Sequence, residues 1–364
     1  MRVLVVNTGS SSVKLSVVED GVVAAAESVE RWDGGNELPG LQRFLDRCGR
    51  PDAVGHRVVH GGPRHRTAAR VDAALVDELA SLTDLAPLHQ PRALAAMSAT
   101  SRLLPDVPAV ACFDTAFHRS MPAAAATYAL PTEWNERWQL RRYGFHGLSH
   151  AYAAQRAADL VARPLTGLRV VSCHLGAGAS VCAVRDGTSV DTSMGFTPLA
   201  GLVMATRSGS VDPGMLLWLL THGGVTVAEL GDTLEHRAGM AGLSGTSGDL
   251  RDVQAARAEG DLRAGLAYDV FVHRLAREVA GMTASCGGLD VLVLTGGIGE
   301  HAQDVRAALG ERLGYLGVAL DAAANEAARG DADISAAGAR VRTVVVTAGE
   351  DRQIAREVVH LLSE

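Results

Sequence analysis

The chain opens with V3-L-V-V-N-T-G-S-S-S-V-K-L-S-V-V-E-D-G21, and a stretch of the same design returns in mid-chain as R169-V-V-S-C-H-L-G-A-G-A-S-V-C-A-V-R-D-G187. Each runs from a short apolar segment through a Gly- or Ser-rich turn into a second apolar segment, and each ends on Asp-Gly. V13-K-L-S-V-V18 alternates with period two, as a strand does. The repeat reads as an internal duplication, two related α/β domains built from one opening hairpin. A length of 364 residues agrees, being too long for one ordinary core.

Outside the two hairpins, alanine-rich helical patterns alternate with short strands. V71-D-A-A-L-V-D-E-L-A-S-L82 reads as a helix, and P108-A-V-A-C-F-D114 as a strand ending in a carboxylate. S149-H-A-Y-A-A-Q-R opens with a serine placed to cap a helix. L289-D-V-L-V-L-T-G-G-I-G-E-H301 is a buried strand entering a glycine turn before a helix, and V341-R-T-V-V-V-T-A-G-E-D-R352 repeats that plan. Such alternation means strands sandwiched by helices.

A net charge of −7 with no basic cluster argues against a nucleic-acid partner. No apolar run approaches a membrane span. The five cysteines (48, 112, 173, 182 and 286) are odd in number and form no C-x-x-C pair, so they read as reduced thiols in a cytoplasmic protein.

Lys14 is the one lysine beside 33 arginines. The turn before it can converge backbone N–H groups and hydroxyls on a phosphate, with Lys14 as a compact point charge; a plain Ser-rich hairpin with an exposed lysine is the alternative. T295-G-G-I-G-E-H301 and H174-L-G-A-G178 are further turns of the phosphate-cradling kind, equally readable as tight turns without a ligand. Arg57 sits inside an apolar strand-like run, Arg207 in a Ser/Gly loop, and His146 between glycines. Each taken alone is as well a structural residue. The spacing of His56, His60 and His65 lacks a cysteine or carboxylate at ligand distance, which excludes zinc there. Taken together, one lysine, two embedded arginines, a histidine and a strand-end carboxylate (Asp114) suit phosphoryl transfer, which needs cations and positioning more than covalent chemistry.

In family order, N7-T-G-S-S-S-V-K-L, G55-H-R-V-V-H-G-G, L88-H-Q-P, F113-D-T-A-F-H, R142-Y-G-F-H-G-L-S-H, H174-L-G-A-G, F196-T-P-L, T206-R-S-G, G248-D-L-R-D, T295-G-G-I-G-E and T347-A-G-E resemble the motifs of the acetate kinase family. That family belongs to the superfamily of acetate and sugar kinases, Hsp70 and actin. The resemblance implies two ribonuclease H-like (actin/Hsp70-type) α/β domains with a nucleotide cleft between them. These would be residues 1–147, joined by a C-terminal helix 350–364, and residues 148–349. It also implies reversible, Mg²⁺-dependent (or Mn²⁺-dependent) phosphorylation of acetate by ATP, giving acetyl phosphate and ADP, in a homodimer.

By the same resemblance Asp114, His146 and Arg207 are catalytic. Arg57 binds the substrate carboxylate, with Val59, Leu88, Phe145 and Pro198 forming the acyl pocket. Lys14, His174, Leu175, Gly176, Ala177, Gly178, Asp249, Leu250, Arg251, Gly297, Ile298, Gly299, Glu300 and His301 bind ATP, and Asn7 and Glu350 hold the metal. Six positions depart from the family pattern: Ala177 replaces Asn, Ser210 Asp, Ala200 Glu and His301 Asn, while T347-A-G-E350 replaces T-N-E-E. The segment between Gly21 and Arg57 is also short. One lost donor to a transition-state oxygen costs ~3 kcal/mol, so a weakened nucleotide-binding regulator is one rival reading. Propionate or butyrate as substrate is another, since one methylene discriminates by only ~1–3 kcal/mol. A sugar kinase fits Arg57 and an apolar pocket poorly.

Overall fold

The computed structural model describes residues 1–364 apart from 10, 11, 31, 33, 36 and 88. The chain divides into two compact units. The first comprises Met1–Arg119, Phe145–Tyr152 and Gly349–Glu364, the second Ser120–Gly144 and Ala153–Ala348.

The first unit is built on a six-stranded sheet of β1 (Arg2–Thr8), β2 (Ser12–Glu19), β3 (Val22–Glu30), β4 (Ala53–Val58), β5 (Ala69–Arg70) and β6 (Ala109–Phe113), in the order β3-β2-β1-β4-β6-β5. The second unit holds β7 (Arg169–Leu175), β8 (Ala179–Arg185), β9 (Thr188–Thr192), β10 (Val291–Thr295), β11 (Ala332–Asp333) and β12 (Arg342–Val345), in the order β11-β12-β10-β7-β8-β9. Read from β9 inward, this is the first topology again. An antiparallel meander leads to two parallel strands and one antiparallel edge.

The duplication extends to irregularities. The meander bulges between Val17 and Val18 in one copy and between Ala183 and Val184 in the other. Both β-turns are Asp-Gly with positive φ at each residue, Asp20-Gly21 (48°, 80°) and Asp186-Gly187 (54°, 81°), the backbone a two-residue hairpin turn demands. The opening turns differ in length. Thr8 pairs with Val13 but Leu175 pairs with Ala179, so the second is one residue shorter.

In the first unit Leu4, Val6, Leu15 and Val17 pack against Leu41, Phe44 and Ala96 on one sheet face. Val3, Val5 and Cys112 pack against Leu148, Ile354 and Val358 on the other. Gly55 allows the second contact, because a Cβ there would sit 2.6 Å from Ile354 Cγ2. The helix Glu350–Ser363 therefore lies directly on β4, with its acidic first turn near the ends of β1 and β4. In the second unit the helix Leu262–Cys286 buries Phe271, Leu275, Val279 and Met282 at helical spacing against β7 and β8.

The helix expected after Val71 is Ala73–Ser81, capped by Asp72. Ser149 is no cap. Its helix begins at Gly147, and the serine lies inside the first turn. The glycine stretch after β10 is itself helical, Gly296–His301.

Candidate active site

Four of the singled-out residues of the first unit meet at the C-terminal ends of the parallel strands. Asn7 is the next-to-last residue of β1 and Arg57 that of β4, while Asp114 follows β6 immediately. Glu350 opens the C-terminal helix, where a carboxylate suits the helix dipole. Arg57 Nη2 donates to Asp114 Oδ2 at 2.7 Å, and Nε lies 3.2 Å from both carboxylate oxygens. Its Nη1 donates to Asn7 Oδ1 at 3.3 Å and stands 3.8 Å from Glu350 Oε2. Asn7 Nδ2 in turn donates to Glu350 Oε2 at 2.8 Å.

Asp114 is fully buried. Burial pushes its carboxyl up from the ordinary range, and the Arg57 guanidinium opposes that shift. Burial alone would pull the Arg57 guanidinium down; Asp114 and Glu350 more than reverse it, so its pKa is raised. An arginine stays charged in a protein, and the pair at 2.7 Å is an ion pair.

His146 is held in the left-handed region at φ 56°, a strained state for a non-glycine residue that surroundings must enforce. The Gly147 N–H donates to the Asp114 carbonyl at 3.0 Å, and the His150 N–H to the His146 carbonyl at 2.9 Å. A Cβ on Gly147 would fall 2.1 Å from that Asp114 carbonyl oxygen. Glycine is required there for the loop to lie against Asp114. Val59 and Phe145 are both buried, and the Phe145 ring meets His60 edge-on at 5.6 Å. Burial pulls the His60 imidazole down to about 4. Leu88, expected beside them, lies outside the described residues, as do Ser10 and Ser11 of the opening turn.

Lys14 has a partner that the sequence did not point to. Its Nζ lies 2.7 Å from Asp351 Oδ2, and Asn7 Nδ2 reaches Asp351 Oδ1 at 3.4 Å. Asp351 is buried while the Lys14 side chain remains half exposed.

The rest of the set belongs to the second unit. His174 and Leu175 end β7, and Gly176 to Gly178 form the turn into β8, closed by a 3.0 Å bond from the Gly176 N–H to the Gly178 carbonyl. Thr295, before the Gly296–His301 helix, pairs in parallel with His174. Gly296, at φ 78°, lies under the Leu175 carbonyl, 2.7 Å from where its Cβ would be. These two glycine segments are therefore brought together, leaving Gly297 with open space. Glu300 and His301 line a cavity of about 780 Å³ with Gln254, Arg257, Arg306 and Arg329, within the size range of small-ligand sites. Ala177 is exposed, and its carbonyl accepts from the Ala205 N–H at 3.1 Å.

Asp249 caps the helix Leu250–Ala258 and pairs with Arg251 at 2.6 Å; Arg251 pulls its carboxyl down to about 2. Arg207 pairs with Glu235 at 3.2 Å. Ser210, where the family has Asp, accepts the Gly201 N–H on its hydroxyl at 2.9 Å and so closes the Arg207 loop. Pro198 sits half-buried in a turn of this unit.

Residues 43–356 match the family model described as the acetokinase family. The chain belongs to the acetokinase family. A relative in it, named acetate kinase, from Bacillus mycoides is 45% identical over 88% of this chain and 80% of its own length. Two solved structures match nearly end to end. An acetate kinase from Porphyromonas gingivalis has TM-score 0.91 and 34% identity, with 99% of each chain covered. A propionate kinase from Francisella tularensis has TM-score 0.89 and 34% identity, with 98% of each covered. Acetokinase-family membership makes this chain a phosphotransferase with the duplicated actin/Hsp70-type α/β fold that the sequence predicts.

Asp351 and Glu235 are the polar partners that sequence reasoning missed. Asp351 stands beside a residue already singled out, but only the docking of the last helix aims it at Lys14. Glu235 lies in a polar helical segment with no distinguishing spacing.

Proposed function

We propose that the chain transfers the γ-phosphoryl group of ATP to acetate reversibly, making acetyl phosphate and ADP. The observation that carries this reading is the partly buried Arg57, gripped by Asp114 through Nε and Nη2 with Nη1 turned toward Asn7 and Glu350. A guanidinium so fixed is a carboxylate receptor. Acetate titrates near ~4 and is ionised at neutral pH, so it needs no general base. Asp114 thus holds Arg57 in place rather than deprotonating the acceptor. Arg207 and His146 meet the charge of the transferring phosphoryl group, and Lys14 and the two glycine segments of the second unit take the nucleotide.

Among the described residues no group of three or more His, Cys, Asp or Glu side chains is arranged to hold a metal. Mg²⁺ asks for less, typically one or two carboxylates, with water and substrate phosphate completing its shell. Asn7 Oδ1 and the Glu350 carboxylate offer hard oxygen donors on side chains joined by the Asn7 Nδ2–Glu350 Oε2 bond, and they fit it. Bound there with ATP, Mg²⁺ would neutralise phosphate charge.

The helix Pro213–His222 leaves Met215, Leu217 and Trp218 exposed, and nearby Val227 is 77% exposed. Apolar surface of this kind marks an interaction site and supports the homodimer the family resemblance implies. Among the described residues no helix is long and apolar enough to cross a membrane, and all five cysteines are free, which supports a cytoplasmic setting.

Propionate is the second reading, favoured by the solved propionate kinase that this chain matches. Turnover with Mg-ATP over acetate, propionate and butyrate, trapping acyl phosphate with hydroxylamine, decides between them. A higher kcat/KM for acetate is expected. A higher value for propionate would replace the substrate. ATP binding without any trapped product would leave a nucleotide-binding regulator.

A further inference from the structure

The loop carrying Arg207 is clamped by one turn of π-helix, Thr233–Arg237. Thr206 Oγ1 donates to the Glu235 carbonyl at 2.9 Å. The Ser208 N–H donates to the Leu234 carbonyl at 3.1 Å, and the Ala238 N–H to the Thr206 carbonyl at 3.0 Å. Both chain neighbours of Arg207 are therefore tied to the turn that also supplies Glu235. Its carboxylate approaches the guanidinium at Nε, 3.2 Å away. Among the described residues no oxygen accepts a hydrogen bond from Arg207 Nη1 or Nη2, and Nη1 meets only the Met204 sulfur at 3.8 Å. Arg207 is 16% exposed and Glu235 30%, so the pair is partly shielded from solvent. Single π-turns within helices recur at functional sites.

We propose that Glu235 is a positioning residue for phosphoryl transfer. It holds Arg207 by the Nε edge and leaves the terminal fork, the edge that pairs bidentately with phosphoryl oxygens, as the one presented to substrate. An arginine side chain has many rotamers, and fixing it beforehand removes that ordering cost from the reaction. The carboxylate also offsets part of the positive charge of Arg207, but its contact at one edge leaves the fork's donors intact. The inference rests on Arg207 as the phosphoryl-binding cation.

Two sets of measurements separate the inference from that reading. In steady-state kinetics Arg207→Ala should lose most turnover; if it does not, Arg207 is not the phosphoryl cation and Glu235 has nothing to position. Glu235→Ala should lower kcat by about 10- to 100-fold, the scale of an ångström-level misplacement. Both KM values should stay within about two-fold, and Glu235→Gln, which keeps a hydrogen-bonding edge, should retain most of kcat. An unchanged kcat in Glu235→Ala would overturn the proposal. So would a Glu235→Gln enzyme faster than wild type, or an equal rise in both KM values.

The ¹⁵Nε–¹Hε resonance of Arg207, assigned by its loss in Arg207→Ala, needs no turnover. It should shift and broaden in Glu235→Ala and stay sharp in Glu235→Gln. The same resonance in wild type and Glu235→Ala would overturn the hold itself. An inactive wild type would instead overturn the proposed function.

Discussion

Acid should loosen the first unit, and His56 gives the cleanest way to measure it. His56 lies on β4 and is 1% exposed; among the described residues neither ring nitrogen has a hydrogen-bond partner. Burial pulls its imidazole down to about 4, against ~6.5 in an unfolded chain. Between those values the unfolded chain binds a proton that the folded one refuses. The stability this lends is complete above pH ~6.5 and is lost progressively as pH falls toward 4. From pH 7.5 to 5.0 the loss is about 2 kcal/mol for this one residue.

His60 and His118, pulled to about 4 by the same cause, add similar amounts. Glu357 and Asp114, pushed up by burial, act in the opposite sense and return some stability as pH falls. Comparing wild type with His56→Leu isolates the single term. The variant should be within about 1 kcal/mol of wild type or more stable at pH 7.5, since an unsatisfied buried polar group is removed. It should lose about 2 kcal/mol less on moving to pH 5.0. Trp32 is 4% exposed and belongs to the first unit, whereas Trp134, Trp138 and Trp218 are 49–57% exposed. The blue-shifted tryptophan emission in a urea titration therefore follows this unit. The same pH-dependent loss in both proteins would refute the reasoning.

Three further outcomes follow from the site. Asp114→Asn breaks the buried pair with Arg57 and should cost roughly 3 kcal/mol by the same titration, with a fall in kcat. Asp351→Asn removes the carboxylate 2.7 Å from Lys14; the KM for ATP should rise several-fold while that for acetate holds, as initial rates would show. Gly147→Ala places a methyl 2.1 Å from the Asp114 carbonyl oxygen, which displaces the loop bearing His146. Turnover should fall about 100-fold, more than for alanine at Gly297, where nothing lies within 4 Å.

The duplication was legible because a hairpin is local. Alternation, Gly-rich turns and the two Asp-Gly turns carry its whole specification within a score of residues. Arg57 was legible because a charge inside an apolar strand has to be explained. The helix start at Gly147 was not, since Ser149 offers a good cap and only contact with Asp114 moves the boundary. Nor was helix visible in G296-G-I-G-E-H301, where propensity argues against it and close packing under β7 prevails. Asp351 and Glu235 are determined by which distant segments meet, and no local pattern encodes that.

The central claim is that the γ-phosphoryl group passes from ATP to the carboxylate of acetate, and ³¹P NMR of the wild-type protein with Mg-ATP and acetate observes that transfer itself. The γ resonance should decline as an acetyl phosphate signal and the ADP signals grow together, and addition of acetyl phosphate and ADP should regenerate ATP. Growth of inorganic phosphate alone, or spectra that stay constant while ATP demonstrably binds, would contradict it.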